Sequence, residues 1–193
     1  PILWHVMKIY SKYGINDFVI LCGYKSNIIK EYFANYSLYK SDVTFDFKSN
    51  AIEVHKNGVE KWRVTLVETG EDAMTGGRIK KAVPYIGNET FCLTYGDGVS
   101  DVNITELVDF HRKSKALVTM TTVQPPGRFG AFTLRGGSSK VKSFKEKPTG
   151  DGAWINGGFF VLEPESFKYL EDGDMDTIQW EKKPLLEIAM DNQ

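Results

Sequence analysis

The stretch between positions 3 and 33 constrains the fold more than any other part of the sequence. A helical pattern of apolar residues comes first and ends at Gly14, a residue suited to the position after a helix. The continuous apolar run 18–22 follows and ends at Gly23, as is typical of a parallel strand covered on both faces. Ser26 is a suitable N-cap for a second amphipathic segment. The order helix, strand, helix therefore predicts a doubly wound α/β unit.

The rest of the chain continues this alternation, but hairpins interrupt it. Alternating patterns at 43–47 and 52–55 predict one hairpin, and those at 132–134 and 141–144 predict another. Further strands are expected at 62–68, 91–95, 117–123 and 159–162, with helices at 75–83, 103–111, from Pro164 and at 185–190. Asn103, followed three residues later by Glu106, is a plausible capping box. We therefore expect a mixed, mainly parallel sheet.

Composition narrows the class of protein. The chain has 193 residues, of which 41% are hydrophobic and 25% charged, as in an ordinary globular domain. Its formal net charge of -1 gives no basic footprint, so nucleic acid is not an expected partner. No apolar run is long enough to cross a bilayer, and no signal peptide is visible, so we expect a cytoplasmic protein without a membrane partner. The three histidines show no metal-ligand spacing and are interpreted as structural or surface residues.

The motif Gly96-Asp97-Gly98 directly follows the apolar run 91–95, with Asp101 shortly after. In open α/β sheets, ligands bind just beyond the carboxyl ends of the strands. A carboxylate at that place can reach a metal ion or a ribose, and its glycines let a nucleotide approach the backbone. The alternative is a plain turn, which is the commoner case for these residue types.

A second candidate is Thr75-Gly76-Gly77-Arg78, which opens a predicted helix. Backbone N–H groups at a helix start, beside a guanidinium, suit a phosphate or a base edge. A glycine-rich turn with a solvated Arg78 is equally compatible with the spacing, and the motif does not match a Walker A loop.

Two later motifs could bind a sugar phosphate. Glu146-Lys147-Pro148 places a carboxylate beside an ammonium group, and Asn156-Gly157 offers an amide that both donates and accepts hydrogen bonds. A charged surface turn and an Asn-Gly turn are the commoner interpretations of such motifs by themselves. The segment 127–130, Gly-Arg-Phe-Gly, either approaches a ligand or turns the chain.

Taken together and in order, these motifs resemble the glucose-1-phosphate cytidylyltransferases, a branch of the sugar nucleotidyltransferases. The resemblance rests on Pro1-Ile-Leu-Trp-His5, the run 22–36, Met74-Thr-Gly-Gly-Arg78, Thr94-Tyr-Gly-Asp-Gly98, Pro126-Gly-Arg-Phe-Gly130, Glu146-Lys-Pro148 and Ile155-Asn-Gly-Gly158. The uridylyl and thymidylyl branches usually lack Gly-Gly-Arg at this point and the insertion 43–70, so the cytidylyl branch fits best.

The resemblance implies a Rossmann-like nucleotidyltransferase fold and the reaction of CTP with α-D-glucose 1-phosphate to give CDP-glucose and pyrophosphate. It also implies Mg²⁺ as cofactor, a homo-oligomer in the full-length enzyme, and a product used for surface polysaccharide.

The same resemblance assigns roles to particular residues. Asp97 is expected to bind Mg²⁺, and Arg78 and Lys147 are expected to be catalytic. Contacts to the nucleotide are expected from Thr75, Gly77, Arg78 and Gly96, and contacts to the sugar phosphate from Gly130, Glu146, Lys147, Asn156 and Gly157.

The sequence departs from the family's pattern at both ends. The family's glycine-rich loop with its lysine and its second metal aspartate have no counterpart in residues 1–193. We therefore expect a single nucleotidyltransferase domain that is truncated at both ends and holds part of the site. Three alternatives stay open: a uridylyl- or thymidylyl-transferring relative, a non-catalytic nucleotide-sugar-binding or assembly module, and a glycosyltransferase of similar architecture. The last would favour an Asp-x-Asp motif, whereas Asp101 lies further from Asp97.

Overall fold

The computed structural model describes residues 1–125, 131–137, 139–145, 154–171 and 173–193. Of residues 56, 57, 131–134 and 145, only the backbone is described. The helices are α1 (Ile2–Ser11), α2 (Ser26–Ala34), α3 (Tyr36–Tyr39), α4 (Thr75–Ile86), α5 (Ile104–Ser114) and α6 (Lys183–Met190), with a 3₁₀ helix at Pro164–Leu170. The strands are β1 (Asp17–Cys22), β2 (Ser41–Asp46), β3 (Ala51–Asn57), β4 (Arg63–Glu68), β5 (Phe91–Thr94), β6 (Val118–Val123), β7 (Ala131–Leu134), β8 (Val141–Lys145) and β9 (Ile155–Leu162).

The sheet is mixed, as the sequence predicts: in the described residues one strand pair is parallel and four are antiparallel. Strand β1 pairs with β4 in parallel, with Asp17 opposite Arg63 and Cys22 opposite Glu68. Strand β9 lies between β5 and β6 and is antiparallel to both. The two predicted hairpins are confirmed as β2–β3 and β7–β8.

The core lies on both faces of β9, because successive side chains of a strand point to opposite sides. Phe159 packs with Val6 and Tyr10 of α1 and with Ile104 of α5. Phe160 and Leu162 pack on the other side, in a cluster completed by Ile79, Leu170, Ile178, Trp180 and Ile188. A sheet with helices on both faces is the layer arrangement of α/β proteins.

Three predictions about helices can be compared with the structure. Asn103 caps α5 as predicted, since its side chain accepts a hydrogen bond from the Glu106 N–H at 3.2 Å. Ser26 is not an N-cap: Lys25, at φ 55°, takes that position, and Ser26 is the first helical residue. Helix α4 continues to Ile86 although Pro84 lies within it, because its inner face is buried.

His111, predicted to be structural or on the surface, is structural. It is 1% exposed and lies between the Thr119 hydroxyl, 2.8 Å from Nδ1, and the Glu163 carboxylate, 3.0 Å from Nε2. None of the helices in the described residues is long and apolar enough to cross a membrane.

A cleft of about 830 Å³ separates β1 from β5. Consecutive residues of both strands line it, so each strand turns an edge toward the cleft rather than a face. Its walls are mainly apolar, but Thr75, Arg78, Tyr95 and Gly96 line it as well. The cleft therefore reaches the carboxyl end of β5 and the start of α4, where two of the predicted motifs lie.

Candidate active site at the end of strand β5

The start of α4 is packed tightly against the segment 175–178. The Gly76 N–H donates to the Ile178 carbonyl at 3.0 Å, and the Met74 N–H donates to the Met175 carbonyl at 3.3 Å. A Cβ on Gly76 would overlap the Ile178 side chain, and one on Gly77 would overlap the Met175 carbonyl. Both glycines are therefore required by packing, and the segment 175–178 occupies N–H groups at the helix start that could otherwise face an anion.

Arg78 reaches from α4 to the loop that follows β4. Its guanidinium donates to the Thr69 hydroxyl at 2.5 Å, to the Gly70 carbonyl at 3.1 Å and to the Glu71 carbonyl at 3.1 Å. It also lies directly over Gly23, where any side chain would overlap it. Arg78 thus holds the residues beyond β1 and β4 together, at the edge of the sheet where nucleotide binding is predicted.

By contrast, the glycines at the end of β5 are not packed against distant parts of the described chain. Asp97 is exposed, and apart from each glycine and its two chain neighbours, no atom of the described residues lies within 4 Å of the place where a Cβ of Gly96 or Gly98 would be. The two glycines are thus not explained by packing here. They leave the backbone beside Asp97 open to a ligand.

Four polar side chains connect these two places. Tyr95 donates to Glu181 Oε1 at 2.8 Å and accepts from Asn156 Nδ2 at 3.0 Å. The Thr75 hydroxyl donates to Glu181 Oε2 at 2.7 Å. Asn156 is fixed further, because its Oδ1 accepts from the Gly158 N–H at 2.7 Å. The predicted sugar-side amide and the predicted nucleotide-side helix start are therefore joined through Glu181.

The charges of the site act on Tyr95. Burial, the hydrogen bond to Glu181 and the nearby charges of Glu181 and Asp97 together raise the pKa of its phenol to about 12, although the hydrogen bond from Asn156 acts in the opposite direction. Tyr95 is therefore protonated at neutral pH and can donate to Glu181. The contribution of Asp97 shows that its carboxylate lies near the phenol.

The exposed carboxylate of Asp97 fits a divalent metal ion that takes its other ligands from water and substrate phosphates. The described residues contain no cluster of three or more His, Cys, Asp or Glu side chains that could hold a metal by itself. Mg²⁺ usually binds one or two carboxylates and takes its other ligands from water and substrate phosphates. An exposed aspartate next to open glycine backbone suits that mode.

The structure thus brings Thr75, Asn156 and Tyr95 together, with Gly96 and Asp97 adjoining. Gly77 lies under the segment 175–178, and Gly157 packs against the Thr121 carbonyl of β6. Gly130, Glu146 and Lys147 lie outside the described residues. Glu181 was not predicted from the sequence, because a glutamate next to two lysines resembles an ordinary surface residue and carries no motif.

Comparison with protein families settles the class of the chain. The model of a family described as nucleotidyl transferase matches residues 1–192. The chain belongs to the nucleotidyl transferase family. Two similar curated proteins are a glucose-1-phosphate cytidylyltransferase of Salmonella typhimurium, 53% identical over 194 positions, and a "probable glucose-1-phosphate cytidylyltransferase" of Bacillus subtilis, 43% identical. Both alignments cover 100% of this chain and 74% of the relative.

More distant relatives of this nucleotidyl transferase have lower sequence identity to it. A UTP–glucose-1-phosphate uridylyltransferase of Staphylococcus epidermidis is 27% identical over 183 positions, which are 89% of this chain and 64% of that protein. Among solved structures, a UDP-glucose pyrophosphorylase complexed with UDP-glucose aligns with a TM-score of 0.62 at 17% identity, over 98% of this chain and 75% of the other. HddC of Yersinia pseudotuberculosis complexed with GMP-PN aligns with a TM-score of 0.60 at 21% identity, over 94% and 70%. These structural matches confirm the predicted Rossmann-like α/β fold.

Proposed function

We propose that this nucleotidyl transferase is a glucose-1-phosphate cytidylyltransferase, which joins CTP and α-D-glucose 1-phosphate to give CDP-glucose and pyrophosphate. The observation that carries the proposal is the difference in similarity between branches. Identity to cytidylyltransferases is 43–53% over the whole chain, against 27% to the uridylyltransferase of Staphylococcus epidermidis. The open aspartate at the end of β5 supports it, because ligands of open α/β sheets bind beyond the carboxyl ends of strands.

The residues of the site divide between the two substrates. We assign the nucleotide to the start of α4 and the end of β5, with contacts from Thr75, Arg78 and Gly96. Gly77, which the resemblance assigns to the nucleotide as well, is buried under the segment 175–178 and is left out of this assignment. The sugar phosphate is assigned to Gly130, Glu146, Lys147, Asn156 and Gly157. Of these assigned residues, Thr75, Arg78 and Gly96 line the cleft between β1 and β5.

The reaction needs little covalent chemistry from the protein. A phosphate oxygen of glucose 1-phosphate attacks the α-phosphorus of CTP, and the bond to the β-phosphate oxygen breaks as pyrophosphate leaves. Positioning and neutralisation of charge supply most of the catalysis of such steps. Lys147 balances the charge of the sugar phosphate and Arg78 that of the nucleotide, while Asn156 and Glu146 orient the sugar through its hydroxyls.

A divalent metal belongs to this proposal. Nucleotidyltransferases of this family generally use one, and we assign Mg²⁺ to Asp97. When bound, the ion neutralises charge on phosphate oxygens. We also expect the enzyme to be a homo-oligomer of the cytoplasm that needs neither nucleic acid nor a membrane.

The proposal can be tested by nucleotide competition. Residues 1–193 and the full gene product are each supplied with Mg²⁺, glucose 1-phosphate and either CTP, UTP, dTTP, GTP or ATP, while pyrophosphate release and nucleotide sugar are measured. We expect kcat/KM for CTP to exceed the others at least about tenfold, equal to about 1.4 kcal/mol. Preference for UTP or dTTP would identify a relative of different base specificity. Binding without turnover of any nucleotide would identify a binding module.

A further inference from the structure

The chain of hydrogen bonds through Glu181 has a defined direction. The Gly158 N–H can only donate, so the oxygen it meets fixes which way the Asn156 amide points. Nδ2 of Asn156 therefore donates to the Tyr95 oxygen, and the Tyr95 hydroxyl proton is directed to Glu181. At its other end, Thr75 Oγ1 accepts from the Trp180 N–H at 2.9 Å, so that its own proton is directed to Glu181 as well.

The side chain at position 181 must accept two hydrogen bonds, because the hydroxyl groups of Tyr95 and Thr75 both donate to it. An ionised glutamate accepts through both oxygens, whereas a glutamine would accept through one and donate through the other. Hydrogen bonds to a charged acceptor are also stronger than neutral ones, and each bond of a chain polarises the next. A glutamate therefore suits position 181 better than a glutamine does.

The backbone holds Glu181 where it can act. Trp180, the preceding residue, is 0% exposed and belongs to the core cluster around Phe160. The Trp180 N–H is itself bonded to Thr75. The carboxylate is therefore presented from a rigid, buried support, although the side chain is exposed at the site.

We propose that Glu181 is a positioning residue of the transfer reaction, which orients Asn156 through Tyr95 for the sugar phosphate and orients Thr75 for the nucleotide. Asn156 keeps one Nδ2 hydrogen and further acceptor capacity on Oδ1 for a ligand, and the Gly158 N–H and the Tyr95 oxygen together set the direction of both. Glu181 thereby couples the two substrate sites. This inference rests on the proposed function.

The test compares kinetics of four variants in the full gene product. Glu181→Ala should raise KM for glucose 1-phosphate and KM for CTP, each about tenfold, and lower kcat. Tyr95→Phe should raise mainly KM for glucose 1-phosphate, and Thr75→Val mainly KM for CTP. Glu187→Ala is the matched control, because its carboxylate lies on α6 and pairs at 3.7 Å with Lys183. It should leave all constants unchanged.

Coupling distinguishes positioning from a merely structural role. In the Glu181→Ala background, Tyr95→Phe should add less than twofold to KM for glucose 1-phosphate, since residues that act as one unit are not additive. Glu181→Asp, which keeps the charge, should restore part of the loss, and Glu181→Gln should restore less. Full additivity, or KM values of Glu181→Ala within twofold of the parent, would overturn the proposal.

A measurement without turnover separates this inference from the proposed function. The side-chain amide signals of Asn156 in ¹⁵N-correlated NMR spectra, assigned with Asn156→Asp, should shift in Glu181→Ala but not in Glu187→Ala. If the parent transfers no nucleotide but these signals shift, the proposed function fails while the coupling stands. If the parent is active and the signals do not move, the function stands and the positioning role is overturned.

Discussion

Two pairs of glycines lie at the candidate site, and they differ in what surrounds them. Gly76 and Gly77 are buried under the segment 175–178, where any side chain would overlap neighbouring atoms. Around Gly96 and Gly98, apart from each glycine and its two chain neighbours, no atom of the described residues lies within 4 Å of the point that a Cβ would occupy. The first pair lets two parts of the backbone meet, and the second leaves backbone open beside Asp97. Glycines that look alike in sequence therefore serve packing at one end of the site and access at the other.

The largest effect is expected at the open end. Replacing Asp97 with Asn keeps the shape but removes the charge assigned to Mg²⁺, which contributes several kcal/mol in such sites. We expect kcat to fall at least about a hundredfold, while the exposed position keeps the melting temperature unchanged. Steady-state kinetics at saturating Mg²⁺ and calorimetry would measure both. Asp42→Asn, at an exposed position on β2, is the control, and near-normal turnover of Asp97→Asn would remove the metal assignment.

The packed end should respond in stability instead. Gly77→Ala places a methyl group against the Met175 carbonyl, which cannot move without the backbone. Overpacking of this kind costs about 3 kcal/mol when the neighbour is rigid. Chemical denaturation would measure the free energy of unfolding.

Gly96→Ala is the matched substitution at the open end. Because the methyl group meets open space, the free energy of unfolding should change by less than about 0.5 kcal/mol, while nucleotide affinity falls. Equal destabilisation by the two alanines would contradict the contrast between packed and open glycines.

Arg78 is expected to affect both the stability of the fold and the binding of nucleotide. The family resemblance assigns it to the nucleotide, and the structure adds three hydrogen bonds to the loop 69–71. Lysine keeps the charge but lacks the planar fork. We therefore expect Arg78→Lys to lower the free energy of unfolding by about 1 kcal/mol and to weaken CTP binding as well. If the free energy of unfolding is unchanged while CTP binding is weakened, the planar guanidinium of Arg78 is needed only for the nucleotide.

The smallest effect concerns pH. The pKa of Tyr95 is raised from 10.0 to about 12, so the folded state favours the neutral phenol. Its contribution to stability is fully present below pH 10 and is lost as the pH rises toward 12. Glu181→Gln should lower this pKa only in part, because burial is the first cause. Tyrosinate absorbance, with Tyr95→Phe to identify the transition, would check this, and an unchanged pKa would show that Glu181 has no effect on the phenol.

Local patterns predicted the elements around the site well, but not their partners. The apolar run at 18–22, both hairpins and the cap at Asn103 follow from periodicity and residue chemistry, and each is found in the structure. The helix beginning at Thr75 was predicted to end before Pro84, whereas burial of its inner face carries it to Ile86. The role of Glu181 could not be predicted from the sequence, because its partners Thr75 and Tyr95 are 106 and 86 positions away in the chain.

The sequence by itself determined the class of fold and the place of Asp97 beyond a strand, because these depend on local periodicity. Its motifs, taken in order along the chain, carried the resemblance to the family. Only the tertiary structure decided that Gly76 and Gly77 serve packing, that Arg78 holds a loop, and that Glu181 joins the two halves of the site. The physical reason is the same in each case. Steric overlap and hydrogen bonding act over a few ångströms in space, and the atoms concerned meet only after helices and strands that are distant in sequence have packed.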